Sequence, residues 1–322
     1  MLVCHRHKFI FIKTKKTAGT SVEVLLQPLC VPPGMKITEG TDEIVSEYGI
    51  VGARSRDAKE RATYWNHLPA EQLRSLMGAA VFDEYLKVAT VRNPFDRLVS
   101  AFHHLALTPD ERATMSPREF IDRFRSWVQK KGGDLGSTAS MLKVDGRLCL
   151  DYQIRYESLE ADLGRLLARI GIARESLGLM PLLKTKHRPR SVPVQAYYDL
   201  STEELVRRRC AEDFDLFGYS DRVSDVAVVT IPTPKSKDDD YARASREVPT
   251  GSDQASLATT GMSDDLVYSI FKEVAAVEGK RNSDGTWNGA TAADVQRILS
   301  RAFAMVNRAA TRSVTNREGK PD

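Results

Sequence analysis

The stretch "HKFIFIKTKKTAGTS", His7 to Ser21, passes from an apolar run to a basic cluster and then to small residues. Phe9-Ile10-Phe11-Ile12 is a short β-branched and aromatic run, suited to a strand buried on both faces, as in a parallel sheet. Lys13, Lys15 and Lys16 follow at once, and then Thr17, Ala18, Gly19, Thr20 and Ser21. From Thr20 onward, Val22, Val24, Leu25 and Leu26 read as a helix, ended by Pro28, Pro32, Pro33 and Gly34. A tight turn between a buried strand and a helix aims several backbone N–H groups at one spot, where the helix dipole adds partial positive charge. Lys16 adds a full charge and the hydroxyls of Thr17, Thr20 and Ser21 add donors, so the corner suits a phosphate or sulfate. On these residues alone a solvated basic turn is an equal reading. The Walker A spacing G-x-x-x-x-G-K-[ST] is absent, since the lysine precedes Gly19, and this disfavours an ATPase or GTPase.

The strand-turn-helix pattern recurs. Tyr85 to Val91, "YLKVATV", reads as a strand, and after Asn93-Pro94 the segment "FDRLVSAFHHL" places Phe95, Leu98, Val99, Phe102 and Leu105 at helical spacing. Pro94 fits the first turn of that helix. A third pair lies between Tyr152 and Ile172, "YQIRY" and then "LEADLGRLLARIGI", with Leu163, Leu166, Leu167 and Ile170 on one face. The alternation predicts an α/β fold, a P-loop-like parallel sheet flanked by helices. Residues 29–78 are less periodic and read as loops and short helices, while Glu119 to Lys131 reads as an amphipathic helix closed by Gly132-Gly133.

After Tyr219 the composition shifts to Ser, Thr, Asp and Pro, too few apolar side chains to offset the entropy of ordering. The expected organisation is an α/β domain over residues 1–222, a largely flexible linker over 223–260, a helical C-terminal extension over 261–315 and a disordered tail over 316–322. The extension reads as a helical hairpin, "MSDDLVYSIFKEVAAVEG" and "TAADVQRILSRAFAMVNRAA", joined by "KRNSDGTWNG". Its apolar stripes, Leu266, Ile270, Val274 and Val277, need burial on the domain or on a second copy of the chain, the route to a homo-oligomer.

Composition narrows the function. In 322 residues, 42% hydrophobic and 28% charged, 47 Lys+Arg face 43 Asp+Glu, and a formal charge of +4 is too mild to argue for nucleic acid. Any anion preference is local. Cys4, Cys30, Cys149 and Cys210 lie far apart with no C-x-x-C pair, so neither a zinc site nor a disulfide framework is expected. Phe9–Ile12 is far too short for a signal-peptide core or a membrane span, and the expectation is a cytoplasmic protein without a metal.

In "VRNPFDRLVS", Arg92 ends a strand and Ser100 follows eight residues later, two helical turns on. A guanidinium at the C-terminal edge of such a strand stands where open α/β sheets bind ligands, and it pairs bidentately with phosphate. Plainer roles fit its neighbours, Asp96 as a helix cap and Arg97 in a surface ion pair.

Together, "FIFIKTKKTAGTSVEVLL" and "VRNPFDRLVSAFHHL" resemble the sulfotransferase superfamily, in its carbohydrate-type branch of Golgi chondroitin and heparan sulfate enzymes and bacterial homologues. "IRYESLEADLGRLLARIGI" and "YYDLSTEELVRRRCAEDFDLFGYSD" extend the likeness, which covers about residues 7–221. The resemblance implies that Lys16, Thr17, Ala18, Gly19, Thr20 and Ser21 hold the 5′-phosphosulfate of 3′-phosphoadenosine-5′-phosphosulfate (PAPS), and that Arg92 and Ser100 hold its 3′-phosphate; Lys15 is a further binding candidate through the charge it adds. Lys15 stands where the family motif has proline. The likeness implies a late loop closing over the nucleotide, and in "KTKHRPRS" it assigns Lys186 and Arg188 to the phosphates; a solvated charge run is an equal reading of that loop.

The implied activity is O-sulfation of a carbohydrate or small polar hydroxyl acceptor, with adenosine 3′,5′-bisphosphate as product and Lys16 catalytic at the departing phosphate. His67, in "TYWNHLPAEQLRSLMG" between the two motifs, is the candidate base, because the family carries a catalytic His or Glu in that interval and imidazole titrates near neutrality. Its plainer reading is a residue at a helix start before Pro69. His5 and His7 are expected to be exposed, and one of His103 and His104 to face solvent. A P-loop-like kinase and a non-catalytic nucleotide-binding scaffold are the competing functions.

Overall fold

In the computed structural model, Leu2–Cys4 forms β1, Phe9–Ile12 β2, Gly19–Leu26 α1, Ile44–Val45 β3, Gly49–Val51 β4, Ala58–Arg61 α2, Ala70–Met77 α3 and Ala79–Glu84 α4. There follow Leu86–Val91 as β5, Pro94–Leu105 as α5, Pro109–Thr114 as α6, Pro117–Lys131 as α7, Lys143–Val144 as β6 and Arg147–Leu148 as β7. Tyr152–Arg155 forms β8, Leu159–Arg169 α8, Leu200–Arg209 α9 and Ala211–Phe217 α10. The structure describes residues 1–227 apart from 36–37, 56, 132–135, 182, 184–187 and 189–191. The expected helical hairpin, the tail, most of the expected linker and Lys186 therefore lie outside the described residues.

The six-stranded central sheet has the order β3-β4-β1-β2-β5-β8. The three strands read from the sequence, β2, β5 and β8, are parallel neighbours, Ile12 level with Ala89 and Val91 with Arg155. The other half is antiparallel: β1 pairs with β2 and β4, and β4 with β3, so the sheet is mixed. The reason is local. Only His5–Lys8 separate β1 from β2, too few residues for a crossover connection. β4 can lie against β1 because residue 49 is glycine; a Cβ there would stand 2.0 Å from the carbonyl oxygen of Val3. The interval expected to hold only loops and short helices thus supplies two strands as well as α2 and α3.

Side-chain alternation divides β2 between two cores. Phe9 and Phe11 pack with Val22, Leu25 and Leu26 of α1 and with Leu163, Leu166 and Leu167 of α8. Ile10 and Ile12 pack with Leu73 of α3, Phe82 of α4 and Ala89 and Val91 of β5. A third, aromatic cluster joins Phe95 and Phe102 of α5 to Phe124 of α7, Tyr197 and Phe214 of α10. Arg97 is no surface residue. It is 1% exposed, donates to the carbonyl of Gly136 at 2.9 Å and lies 3.3 Å from Asp213, which also accepts from Thr138 N, Ala139 N and Ser137 Oγ. The chain packs on this domain through Val226, whose carbonyl accepts from Gln195 Nε2, so the first residues of the expected linker pack here. Among the described residues no helix is long and apolar enough to cross a membrane.

Candidate functional site

The turn from β2 to α1 is built on strained backbone. Lys16 and Ala18 both adopt φ of 65°, a left-handed conformation that costs a non-glycine residue about 1–3 kcal/mol and gathers at functional sites. Ala18 is the N-cap of α1, so the first N–H groups of that helix, those of Gly19 and Thr20, open toward the turn. Alternation of left- and right-handed residues at a helix start makes a concave nest of N–H groups that favours anions. Hydroxyls beneath it fix its shape: Thr17 Oγ1 lies 2.7 Å from both Thr14 Oγ1 and Thr90 Oγ1, and Thr14 Oγ1 donates to the carbonyl of Thr90 at 2.5 Å. Thr17 is fully buried, so its hydroxyl belongs to this brace. Gly19 is required by close approach; a Cβ there would meet Lys13 Cγ at 2.9 Å and Thr90 Oγ1 at 3.3 Å. Lys15 is exposed, Lys16, Ala18 and Thr20 are half-buried, and Lys13 is buried.

The second motif meets the first directly. Arg92, at the end of β5, donates from Nη1 to the carbonyl oxygen of Lys16 at 3.3 Å. Its Nε and Nη2 both reach Asp96 Oδ2 at 2.7 Å, and its guanidinium lies 3.8 Å from the centre of the Tyr156 ring. Among the described residues these bonds use three of its five N–H donors, on a side chain only 8% exposed. Burial would weaken the charge, but Asp96 and its other acidic neighbours outweigh that and raise the Arg92 pKa above its ordinary value. Asp96 is not the helix cap; Asn93 is, accepting from Phe95 N at 3.0 Å. Asp96 instead holds a second guanidinium, with Arg188 Nη1 2.5 Å from its Oδ1. The same late segment touches the first motif, where Leu183 N donates to Ser21 Oγ at 3.2 Å. Ser100 is half-buried on α5, two turns along from Arg92.

His67 also reaches the turn. It stands outside α3, with φ of 62°, and its Nδ1 lies 2.9 Å from the carbonyl oxygen of Lys13. A carbonyl only accepts, so Nδ1 carries the hydrogen and Nε2 of the neutral ring carries the lone pair. Burial, and then the nearby Lys13 ammonium, bring its pKa down to about 3. Such an imidazole is neutral throughout the physiological range, with its lone pair at Nε2, and at this pKa it is a weak base. The other histidines differ from expectation in part. His5 and His7 are half-buried, His5 with Nδ1 2.9 Å from Tyr85 Oη. His103 is fully buried with Nε2 2.8 Å from Tyr197 Oη, and His104 is half-buried, so neither projects fully into solvent.

Sequence reasoning missed Asp96 as the bridge between two arginines and Tyr156 as the surface under Arg92. A signal existed for Asp96, since i, i+4 spacing from Arg92 places the pair on neighbouring turns. Tyr156 follows β8 and becomes Arg92's neighbour only through sheet order, which no local pattern encodes.

A family pattern described as the sulfotransferase family matches residues 1–220. An uncharacterized protein of Archaeoglobus fulgidus is 27% identical over 108 residues, covering 34% of this chain and 86% of its own length. No solved structure matches the chain.

Proposed function

This chain belongs to the sulfotransferase family, and on that premise we propose that it transfers a sulfuryl group from PAPS to a hydroxyl of a carbohydrate or small polar acceptor. The observation that carries the reading is the 3.3 Å hydrogen bond from Arg92 to the carbonyl of Lys16, which brings the two motifs into direct contact. The donor set suits a nucleotide with anions at both ends: strained turn N–H groups and Lys16 at one, the Arg92 guanidinium, with Ser100, at the other. Asp96 and Tyr156 hold Arg92 ready, so little ordering remains to be done when the anion arrives.

When bound, PAPS supplies the electrophilic sulfur and its phosphate leaving group. Residues of the chain then do the rest. The acceptor oxygen forms its bond to sulfur as the bond from sulfur to the bridging phosphate oxygen breaks, and charge grows on that oxygen. Lys16 and the turn N–H groups stabilise this charge, an electrostatic role that is worth most in a partly dry site. His67 Nε2 takes the acceptor proton. Lys15, Thr20 and Ser21 complete the 5′ end of the reading; Ala18 and Gly19 serve it through backbone, and Arg188 through Asp96.

The test is a pair of titrations without and with Mg²⁺. Adenosine 3′,5′-bisphosphate is expected to bind in the absence of metal, and radiolabelled sulfate to pass from PAPS to a hydroxyl acceptor in a screen of carbohydrates and small alcohols. Binding of ATP–Mg²⁺ with no binding of the bisphosphate overturns the reading in favour of a kinase; binding without transfer to any acceptor favours a nucleotide-binding scaffold.

A further inference from the structure

Behind the turn lies a charge cluster that belongs to neither motif. Glu23 of α1 is fully buried, and its carboxylate meets three cations: the N-terminal ammonium of Met1 at 2.6 Å, Lys13 Nζ at 2.7 Å and Arg54 Nη1 at 3.3 Å. Burial alone would raise the carboxyl; the ammonium, Lys13 and Arg54 override it and hold Glu23 far below the usual carboxylate range. It is therefore ionised, and a buried carboxylate that gathers three chain segments fixes their relative positions.

Two of those segments lead to His67 by separate routes. Lys13 supplies the carbonyl that accepts from His67 Nδ1, and its side chain reaches Glu23 past Gly19, where a Cβ would stand 2.9 Å from Lys13 Cγ. Arg54 follows Ala53, which registers the segment before His67: Ala53 N donates to the carbonyl of Tyr64 at 2.9 Å, and Asn66 N donates to the carbonyl of Ala53 at 2.8 Å. The Arg54 guanidinium is itself held by the carbonyl of Thr38 at 2.6 Å and by Gln27 Oε1. One route orients the imidazole and the other carries its backbone.

We propose that Glu23 is a positioning residue for His67, fixing through Lys13 and Arg54 both the carbonyl that orients the ring and the segment that bears it. The inference rests on the reading of His67 as the base and extends it: the helix that opens on the anion-binding turn also sets the base, so the two ends of the reaction share one buried anchor.

The test uses Lys13→Met and Arg54→Met, each of which leaves Glu23 two of its three cations, together with Glu23→Gln and the conservative Glu23→Asp. In Lys13→Met and Glu23→Gln, kcat is expected to fall about tenfold or more while the dissociation constant for adenosine 3′,5′-bisphosphate stays within about twofold, as misplacement of a reacting group predicts. Glu23→Asp is expected to recover part of the loss. In a His67→Ala background, Lys13→Met is expected to add nothing. Ring ¹⁵N shifts of His67 are expected to show the Nδ1-protonated tautomer in the natural sequence and a mixture in the variants. Folded variants with unchanged kcat, or an unchanged tautomer, overturn the proposal; should Glu23→Gln not fold, Lys13→Met and Arg54→Met decide it. If the natural sequence neither binds the bisphosphate nor transfers sulfate, the sulfotransferase reading fails instead, and the ring shifts, which need no substrate, still decide the role of Glu23.

Discussion

His67 and Lys13, 54 residues apart, meet through a 2.9 Å hydrogen bond between an imidazole nitrogen and a backbone carbonyl. The bond fixes the tautomer, while burial and the nearby Lys13 ammonium keep the ring neutral, and neutrality has a consequence for acid stability. In the unfolded chain imidazole titrates near its ordinary value, whereas in the fold burial brings His67 down to about 3 and His103 to about 4. Between pH ~6.5 and those values the unfolded state holds more protons, so stability falls as the pH falls, by up to about 1.4 kcal/mol per pH unit for each group. Urea midpoints measured from pH 7.5 to 4.5 are expected to decline below ~6.5, and His67→Gln is expected to make the decline shallower.

His67→Ala is expected to keep affinity for adenosine 3′,5′-bisphosphate and lose turnover by about 10²–10⁴-fold, the usual worth of a general base. A variant with full turnover removes His67 from the mechanism.

Lys16→Ala is expected to abolish transfer, while Lys15→Pro, which restores the residue the family motif carries at an exposed turn position, is expected to be tolerated. Steady-state rates of the two variants side by side are the check; equal loss in both means that the turn's register is misread.

Gly19→Ala forces a methyl against Lys13 Cγ and Thr90 Oγ1. Overpacking of this kind costs about 1–3 kcal/mol, so the denaturant midpoint is expected to drop and bisphosphate affinity to fall with it. A stable variant with normal affinity contradicts the close packing described for the turn.

Arg92 and Arg97 separate function from fold although they stand five residues apart. Arg92→Ala is expected to lower bisphosphate affinity by about 10–10²-fold, the worth of one or two hydrogen bonds to a charged group, with folding retained. Arg97→Met leaves Asp213 buried without its cation and is expected to lose about 3–5 kcal/mol of stability. Calorimetric titration and thermal melting, run on both variants, distinguish the two losses.

The parallel half of the sheet was legible because β2, β5 and β8 each carry an apolar run followed by an amphipathic helix, a pattern local to the chain. β1, β3 and β4 were not. They are two or three residues long, and what makes them strands is partnership with β2 and with each other, held by contacts such as Gly49 against Val3. The site divides in the same way. Lys16, Gly19 and Arg92 declare themselves by type and spacing, whereas Asp96 as a bridge, Tyr156 as a stacking surface and Arg97 as a buried tie depend on neighbours brought by the fold. Arg97 in particular reads as a surface cation, because burial of an arginine is decided by Asp213, 116 residues away.

The parallel ladder between β2 and β5 sets a length. The turn leaves the end of one strand and Arg92 the end of the next, with Ile12 level with Ala89, so the gap between the two anion-seeking ends is stepped off by adjacent strands, about 4.8 Å apart. A hydrogen-bonded sheet does not stretch as a loop would. The spacing between the turn and Arg92 is therefore set by the sheet itself, and a change in the length of either connecting loop leaves it unaltered.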